Sequence, residues 1–157
     1  MDQLQALRDH VAANLRGGQA YETFDEIVGE FRPDQRGIVP PGAGHSAWQI
    51  LEHMRISQRD ILDFSRNEKG EYKEKKWPEE YWPKEAAPPD PSAWDRSVQE
   101  FHADQKALED MVNDPNRDLF APFPWGDGQT LLREALMTAD HNGYHLGQLV
   151  MVKRLLG

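Results

Sequence analysis

The fold of this chain is decided by residues 46–64, which read SAWQILEHMRISQRDILDF. Apolar side chains and one histidine recur on a single helical face, at Ile50, His53, Ile56, Ile61 and Phe64. Ser46 precedes Gln49 by three residues, the spacing of a capping box, in which each side chain bonds to the other residue's backbone N–H. We therefore predict a helix over residues 46–67 with His53 facing the protein interior.

A second helix with histidines on its inward face is predicted near the end of the chain. Thr130 is a typical N-cap residue, and Lys153 and Arg154 close the helix where cations suit the negative end of its dipole. The inward face includes Leu131, Ala135, Thr138, His145, Leu149 and Val152.

Two more helical regions are predicted, one at the start of the chain and one in its middle. Residues 2–16 have amphipathic spacing, which Gly17-Gly18 interrupts before the same apolar stripe continues to Phe31. This pattern fits either one kinked helix or two helices that meet at the glycine pair. Asp90-Pro91 has the residue types of an N-cap and a first helical position, for a helix that ends near Asn113.

These segments predict an all-α fold. The sequence shows no alternating strand pattern and no internal repeat, and four long helical segments with polar outer faces are typical of a four-helix bundle. Roughly 20 residues separate the second helical segment from the third, which allows a long crossover and an up-down-down-up order. We expect a single domain over residues 1–157.

Composition excludes several classes of protein. The chain has no cysteine, so disulfide frameworks, thiolate metal sites and a catalytic cysteine are excluded. With 18 Lys and Arg against 27 Asp and Glu, it lacks the basic surface that nucleic-acid binding needs. No stretch approaches the ~20 apolar residues of a membrane span, and the first residues do not resemble a signal peptide. We expect a cytoplasmic protein with neither a membrane nor a nucleic-acid partner.

Three of the six histidines fall on predicted inward faces and could form a metal site. His141 and His145 are one helical turn apart, so both imidazoles can reach one cation. If the two helices are neighbours, His53 completes a tri-histidine site, which leaves coordination positions open for water or substrate. The alternative is three hydrogen-bonded core histidines. We expect His10 and His102 to be solvated or at the rim.

Two polar residues could support such a site. Asp60 lies seven residues after His53, so its carboxylate could orient an imidazole, add an oxygen ligand, or pair with a neighbouring basic residue. Gln148 could hold a metal-bound water or a backbone group, or make an interhelical hydrogen bond. Tyr144 points away from the site and is expected to pack. No residue stands out as a dedicated general base.

The neighbours of these helices supply further expectations. The aromatic and charged segment 76–83 fits a packed strap that buries its tryptophans better than it fits a lid. His45 is expected to make a local turn contact, and Glu52 and Asp140 are expected to be outward-facing charges.

Four stretches together resemble one known family: residues 45–53 (HSAWQILEH), 60–64 (DILDF), 81–83 (YWP) and 141–149 (HNGYHLGQL). They are similar to the DinB-like (DinB/YfiT) metalloenzymes. The resemblance implies an up-down-down-up four-helix bundle, often a homodimer, that holds a divalent metal, commonly zinc or nickel. The positions matching the ligands are His53, His141 and His145. Relatives include transferases that use low-molecular-weight thiols, such as bacillithiol transferases and mycothiol-dependent maleylpyruvate isomerases.

The site therefore predicts a metal-dependent enzyme that acts on a small molecule. A metal with open positions can activate an incoming thiol or a bound water. A cysteine-free chain fits a thiol S-transferase, because the nucleophile would come from the cosubstrate. The alternatives are a metal-dependent hydrolase and a non-catalytic metal-binding or dimerisation bundle.

Overall fold

A computed structural model describes residues 2–157, and this part of the chain is helical, without strands. The predicted all-α class is confirmed. The helices are α1 (Gln3–Arg16), α2 (Phe24–Gly29), α3 (Ala47–Ser65), α4 (Ala93–Asn113) and α5 (Leu131–Leu156).

The first helical region consists of two separate helices, α1 and α2. Gly17 and Gly18 adopt φ angles of 70° and 73°, a left-handed conformation that favours glycine and ends α1. Thr23 starts α2 with a capping box, because its hydroxyl accepts from the N–H of Glu26 while the Glu26 carboxylate accepts from the N–H of Thr23. The sequence pattern fits both a kinked helix and two separate helices, and the structure has two separate helices.

Two predicted helix starts are confirmed. The Ser46 hydroxyl accepts from the N–H of Gln49, and the Gln49 amide oxygen accepts from the N–H of Ser46, so the capping box of α3 is complete. Thr130 caps α5 by accepting from the N–H of Arg133.

The predicted start of α4 is wrong by two residues. The helix begins at Ala93, whereas Asp90-Pro91 belongs to a turn ahead of it. The Asp90 carboxylate accepts from the N–H and the hydroxyl of Ser92, so it closes this turn instead of capping the helix.

Helix packing brings α3 and α5 side by side. Helix α3 packs on α4 and α5, α1 packs on the same two helices from the other side, and α2 packs on α5. The α3–α4 interface carries a row of polar pairs: Glu52 with Ser97, Arg55 with Glu100, and Arg59 with Asp104.

The core has two apolar clusters with polar side chains between them. One cluster includes Leu51, Met54, Phe101 and Leu149, and the other includes Leu62, Leu108, Val112 and Leu131. Between them along α3 and α5 lie buried polar side chains: His53, Gln58, Asn142 and His145. Because buried polar groups need partners, this layer is where side-chain chemistry is concentrated. None of the described helices is both long enough and apolar enough to cross a membrane.

Candidate metal centre

Three histidines converge in the polar layer between α3 and α5. His53 comes from α3, and His141 and His145 come from successive turns of α5. The Nε2 atom of His141 lies 3.1 Å from Nε2 of His53 and 3.1 Å from Nε2 of His145. His53 and His145 are buried, with 1% and 5% of their surface exposed, and His141 is partly exposed. The structure thus brings together the three histidines that the sequence singled out.

The outer nitrogens of two of these rings are held by hydrogen bonds. Nδ1 of His53 donates to the backbone carbonyl of Tyr81 (2.9 Å), and Nδ1 of His145 donates to Oε1 of Gln148 (2.7 Å). Because each Nδ1 carries the hydrogen, Nε2 of both neutral rings presents a lone pair to the centre of the cluster. Two of the three imidazoles are therefore oriented as metal ligands.

Burial keeps these histidines neutral. Burial, together with the neighbouring imidazoles, lowers the pKa of His53 to about 4 and that of His141 to about 4. Burial also lowers the pKa of His145, although its bond to Gln148 acts in the opposite direction. A neutral imidazole is the form that binds a metal.

The donor set fits a divalent cation. Nε2 of His141 can carry one hydrogen at most, so it can donate to only one of its two neighbours. At its other neighbour, the two Nε2 atoms lie 3.1 Å apart with their lone pairs facing each other, which is repulsive. A cation held by His53, His141 and His145 would be coordinated by all three lone pairs, which removes this repulsion. Imidazole nitrogens suit zinc, copper, iron and nickel.

Comparison with known proteins identifies the family. A family model described as the DinB superfamily matches residues 16–149. The chain belongs to the DinB superfamily. The matched range covers most of the chain and contains all three histidines of the cluster. No curated protein and no solved structure matches this chain.

In this DinB-superfamily chain, aromatic side chains cover one side of the cluster. The Trp82 ring stacks on His53, with centroids 3.8 Å apart and planes 5° apart. His45 also stacks on Trp82, at 4.1 Å. His45 was expected to make a local turn contact, whereas its stacking partner Trp82 lies far along the chain, where sequence spacing does not reveal it.

The carboxylate of Asp60 contacts the hydroxyls of two tyrosines. Its Oδ2 accepts from the hydroxyl of Tyr81 at 2.6 Å and from that of Tyr72 at 3.4 Å. Burial raises the pKa of Asp60, and burial together with the Asp60 carboxylate raises that of Tyr72 to about 12. Asp60 is therefore linked to His53 through Tyr81, whose hydroxyl donates to Asp60 and whose carbonyl accepts from the His53 imidazole.

The aromatic segment 76–83 is only partly a buried strap. Tyr81 and Trp82 are half-buried against α3 and the cluster. Trp77, in contrast, is 67% exposed, with its ring 6.1 Å from that of His53. The prediction that both tryptophans are buried is therefore wrong for Trp77, which lies at the rim of the site.

Two further expectations need correction. Tyr144 is 66% exposed, with its ring edge-on to His145 at 5.0 Å, because its helical position faces solvent beside the site instead of the core. Glu52 is partly buried, since Arg55 and Ser97 give its carboxylate partners at the α3–α4 interface.

His10, His102 and Asp140 lie at the surface or the rim, as predicted. Asp140 and His10 are exposed. His102 is 41% exposed at its side chain and lies 2.7 Å from Asp25.

The contacts of Tyr81 and Trp82 with His53 were not predicted from the sequence. Tyr81 contributes a backbone carbonyl, which every residue has, so its identity carries no signal for that contact. The segment 71–92 has neither helix nor strand, and its contacts with α3 therefore have no period to reveal them.

Proposed function

We propose that this chain is a metal-dependent thiol S-transferase, with zinc or nickel held by His53, His141 and His145. The observation that supports it is that three Nε2 atoms converge, while Tyr81 and Gln148 accept hydrogen bonds from Nδ1 of His53 and of His145. The ion would act as a Lewis acid that lowers the pKa of a thiol or a water. The protein would supply orientation, since the ligand tautomers are set before the ion binds.

The absence of cysteine supports thiol transfer with a low-molecular-weight cosubstrate. Within residues 2–157, no carboxylate is hydrogen-bonded to the three imidazoles, so water activation would lack a nearby protein base. Asp60 is engaged by two tyrosines, and Glu52 by Arg55 and Ser97. These contacts favour the thiol S-transferase over a hydrolase. Asp60 and Gln148 are supporting groups in this proposal.

A homodimer also belongs to the proposal. The exposed face of α5 carries several large apolar side chains, among them Leu136 (44% exposed), Met151 (53%) and Leu155 (51%). Exposed apolar surface of this kind is typical of an interface. It equally favours the second candidate, a non-catalytic dimerisation bundle. Replacing Met151 and Leu155 by aspartate should convert a dimer to a monomer, measured by sedimentation.

We further propose one domain over residues 1–157 with an up-down-down-up order of α1, α3, α4 and α5. In the polar pairs between α3 and α4, the residue numbers increase in the same direction along both helices, which supports a parallel arrangement of these two helices. Along α3 and α5 the order reverses, since His53 contacts His145 while Gln58 accepts from Asn142. The contacts between α1 and α4 also reverse: Arg8 donates to the carbonyl of Val112, and Gln105 donates to that of Leu15.

The first experiment measures bound metal. The protein is purified without a polyhistidine tag, incubated with zinc or nickel, and analysed for metal per chain. We expect about one ion per chain, held by the tri-histidine cluster, and loss of the ion in His53→Ala and in His141→Ala. His10→Ala is the matched control, because His10 is exposed and should leave binding intact. A parent protein that binds neither ion contradicts the proposal.

The second experiment tests the reaction. Metal-loaded protein is incubated with bacillithiol, mycothiol or glutathione and with 1-chloro-2,4-dinitrobenzene, and formation of the thioether is followed by absorbance. The thiol sulfur would form a bond to the aromatic carbon, chloride would leave, and the thiol proton would go to solvent. Turnover with a thiol that disappears in His141→Ala supports the transferase. Ester hydrolysis without thiol transfer would favour the hydrolase, and neither activity would favour the non-catalytic bundle.

A further inference from the structure

Tyr81 contacts the candidate metal centre and α3 through two different parts of the residue. Its backbone carbonyl accepts from Nδ1 of His53 at 2.9 Å, and its side-chain hydroxyl donates to Oδ2 of Asp60 at 2.6 Å. Both partners belong to α3, seven residues apart along the same face. The residue therefore spans the stretch of helix between a ligand histidine and a carboxylate.

We propose that Tyr81 is a positioning residue for the metal ligand His53 and that Asp60 holds Tyr81 in place. This inference rests on the proposed metal site and deepens it. It gives Asp60 a role at a distance from the imidazoles, and it makes the aromatic segment 76–83 part of the metal centre.

The carbonyl of Tyr81 decides which nitrogen of His53 faces the cluster. A neutral imidazole carries its hydrogen on either Nδ1 or Nε2, and the hydrogen-bond partner of one nitrogen sets the state of the other. A carbonyl can only accept, so it stabilises the tautomer with the hydrogen on Nδ1 and the lone pair on Nε2. The stacked ring of Trp82 next to Tyr81 restricts rotation of the same imidazole.

The position of that carbonyl depends on side-chain contacts. Because residues 71–92 form neither helix nor strand, no ladder of backbone hydrogen bonds holds the segment. Instead, side chains of α3 and its N-cap bond to the residues around that carbonyl: Asp60 accepts from the hydroxyl of Tyr81, Gln49 donates to the carbonyl of Pro83 (3.3 Å), and Ser46 donates to the carbonyl of Ala86. Of these bonds, the one to Asp60 is made by Tyr81 itself, whose N–H also donates to the carbonyl of Pro78 (3.1 Å).

The geometry offers a matched control at the same carboxylate. Tyr72 also donates its hydroxyl to Oδ2 of Asp60, at 3.4 Å, and Tyr72 makes no hydrogen bond to the three histidines. Tyr72→Phe and Tyr81→Phe therefore each remove one hydroxyl from Asp60. Only Tyr81→Phe removes a contact that leads to His53.

The experiment measures zinc affinity by competition with a chromophoric chelator. Loss of an outer partner of a metal ligand costs about 10–100-fold in affinity. Since the Tyr81 hydroxyl acts through the same residue's carbonyl, we expect Tyr81→Phe to lose about 10-fold, at the low end of that range. We expect Tyr72→Phe to keep the parent affinity. Asp60→Asn should also keep it, because its amide oxygen still accepts from Tyr81, whereas Asp60→Ala should lose as much as Tyr81→Phe.

A second readout does not need the metal. In metal-free protein, the ring resonances of His53 in ¹H–¹⁵N spectra report whether the hydrogen is on Nδ1. We expect this tautomer in the parent and in Tyr72→Phe, and a mixture of tautomers in Tyr81→Phe.

The outcomes separate this inference from the proposed function. If the parent binds zinc but Tyr81→Phe and Tyr72→Phe have the same affinity, the positioning role is overturned and the metal site stands. If the parent binds no divalent metal, the proposed function fails, and the tautomer of His53 alone decides whether Tyr81 positions the ring. Equal tautomer populations in all variants would overturn the inference in that case too.

Discussion

The Nε2 atoms of His53 and His141 lie 3.1 Å apart, although the two residues are separated by 88 positions in the chain. An ion bound by both would join α3 to α5 across the bundle. Because the unfolded chain does not hold these nitrogens together, the free energy of metal binding would add to the free energy of unfolding.

Zinc should therefore stabilise the folded protein. At a free zinc concentration 100 times the dissociation constant, the gain is about 2.7 kcal/mol. For a chain of this size, that gain corresponds to a rise in Tm of about 5–10 °C. Differential scanning calorimetry with zinc and with chelator measures the rise, which should vanish in His53→Ala and in His141→Ala and persist in His10→Ala. A rise of equal size in all of these proteins would point to zinc binding elsewhere.

Gln148 should contribute to metal affinity through His145. Its amide oxygen accepts from Nδ1 of that ring, so Gln148→Ala should weaken zinc binding about 10-fold. Gln148→Glu keeps an acceptor at this position and should retain the affinity. Gln99→Ala, which removes an exposed glutamine on α4, is the control. Unchanged affinity in Gln148→Ala would refute the supporting role of this residue.

The stability of the metal-free protein should depend on the pKa of the buried histidines. Burial lowers the pKa of His53 and His141 from 6.5 to about 4, so between these pH values the unfolded chain binds protons that the folded protein does not. Stability is thus full above pH 6.5 and is lost as the pH falls toward 4. The slope approaches about 1.4 kcal/mol per pH unit for each histidine.

Urea unfolding at pH 7 and pH 5 checks this dependence. The parent protein should lose more stability between these pH values than the double variant His53→Ala with His141→Ala, in which neither ring can titrate. Parallel losses in the two proteins would show that other groups control the acid side of the stability curve.

Trp77 and Tyr144 should affect substrate binding more than stability. They are 67% and 66% exposed, and their rings lie edge-on near His53 and His145. Exposed side chains of this kind change stability by about 0.5 kcal/mol or less when truncated. If they contact an aromatic electrophile, each alanine variant should raise KM by about 2–10-fold, the equivalent of one aromatic contact. Phe120→Ala, which truncates another exposed aromatic ring, should leave KM unchanged.

Much of the fold was predictable because its signals are local. The capping box of Ser46 and Gln49 starts α3, and Thr130 caps α5, since a cap needs only residues within one turn. The break after α1 was harder to decide. A glycine pair permits both a kink and a stop, and the second capping box, formed by Thr23 and Glu26, was the overlooked signal that a new helix begins.

The candidate ligands were predictable for the same reason. His141 and His145 share a face because they are one turn apart, and His53 lies on the apolar stripe of its helix. The arrangement of Asp60 was not predictable. Its position on the stripe suggested contact with an imidazole, whereas the hydroxyl of Tyr81 occupies its carboxylate.

The sequence by itself therefore determined the all-α class, the residues at which α3 and α5 start, and which three of the six histidines lie on inward helix faces. These features depend on helical periodicity and on caps, which act over three or four residues. The tertiary structure alone decided that the three Nε2 atoms meet, that the carbonyl of Tyr81 lies 2.9 Å from Nδ1 of His53, and that the ring of Trp82 stacks on the imidazole of His53. Those contacts join distant residues through an aperiodic segment, where the packing of the whole chain sets the position of each atom.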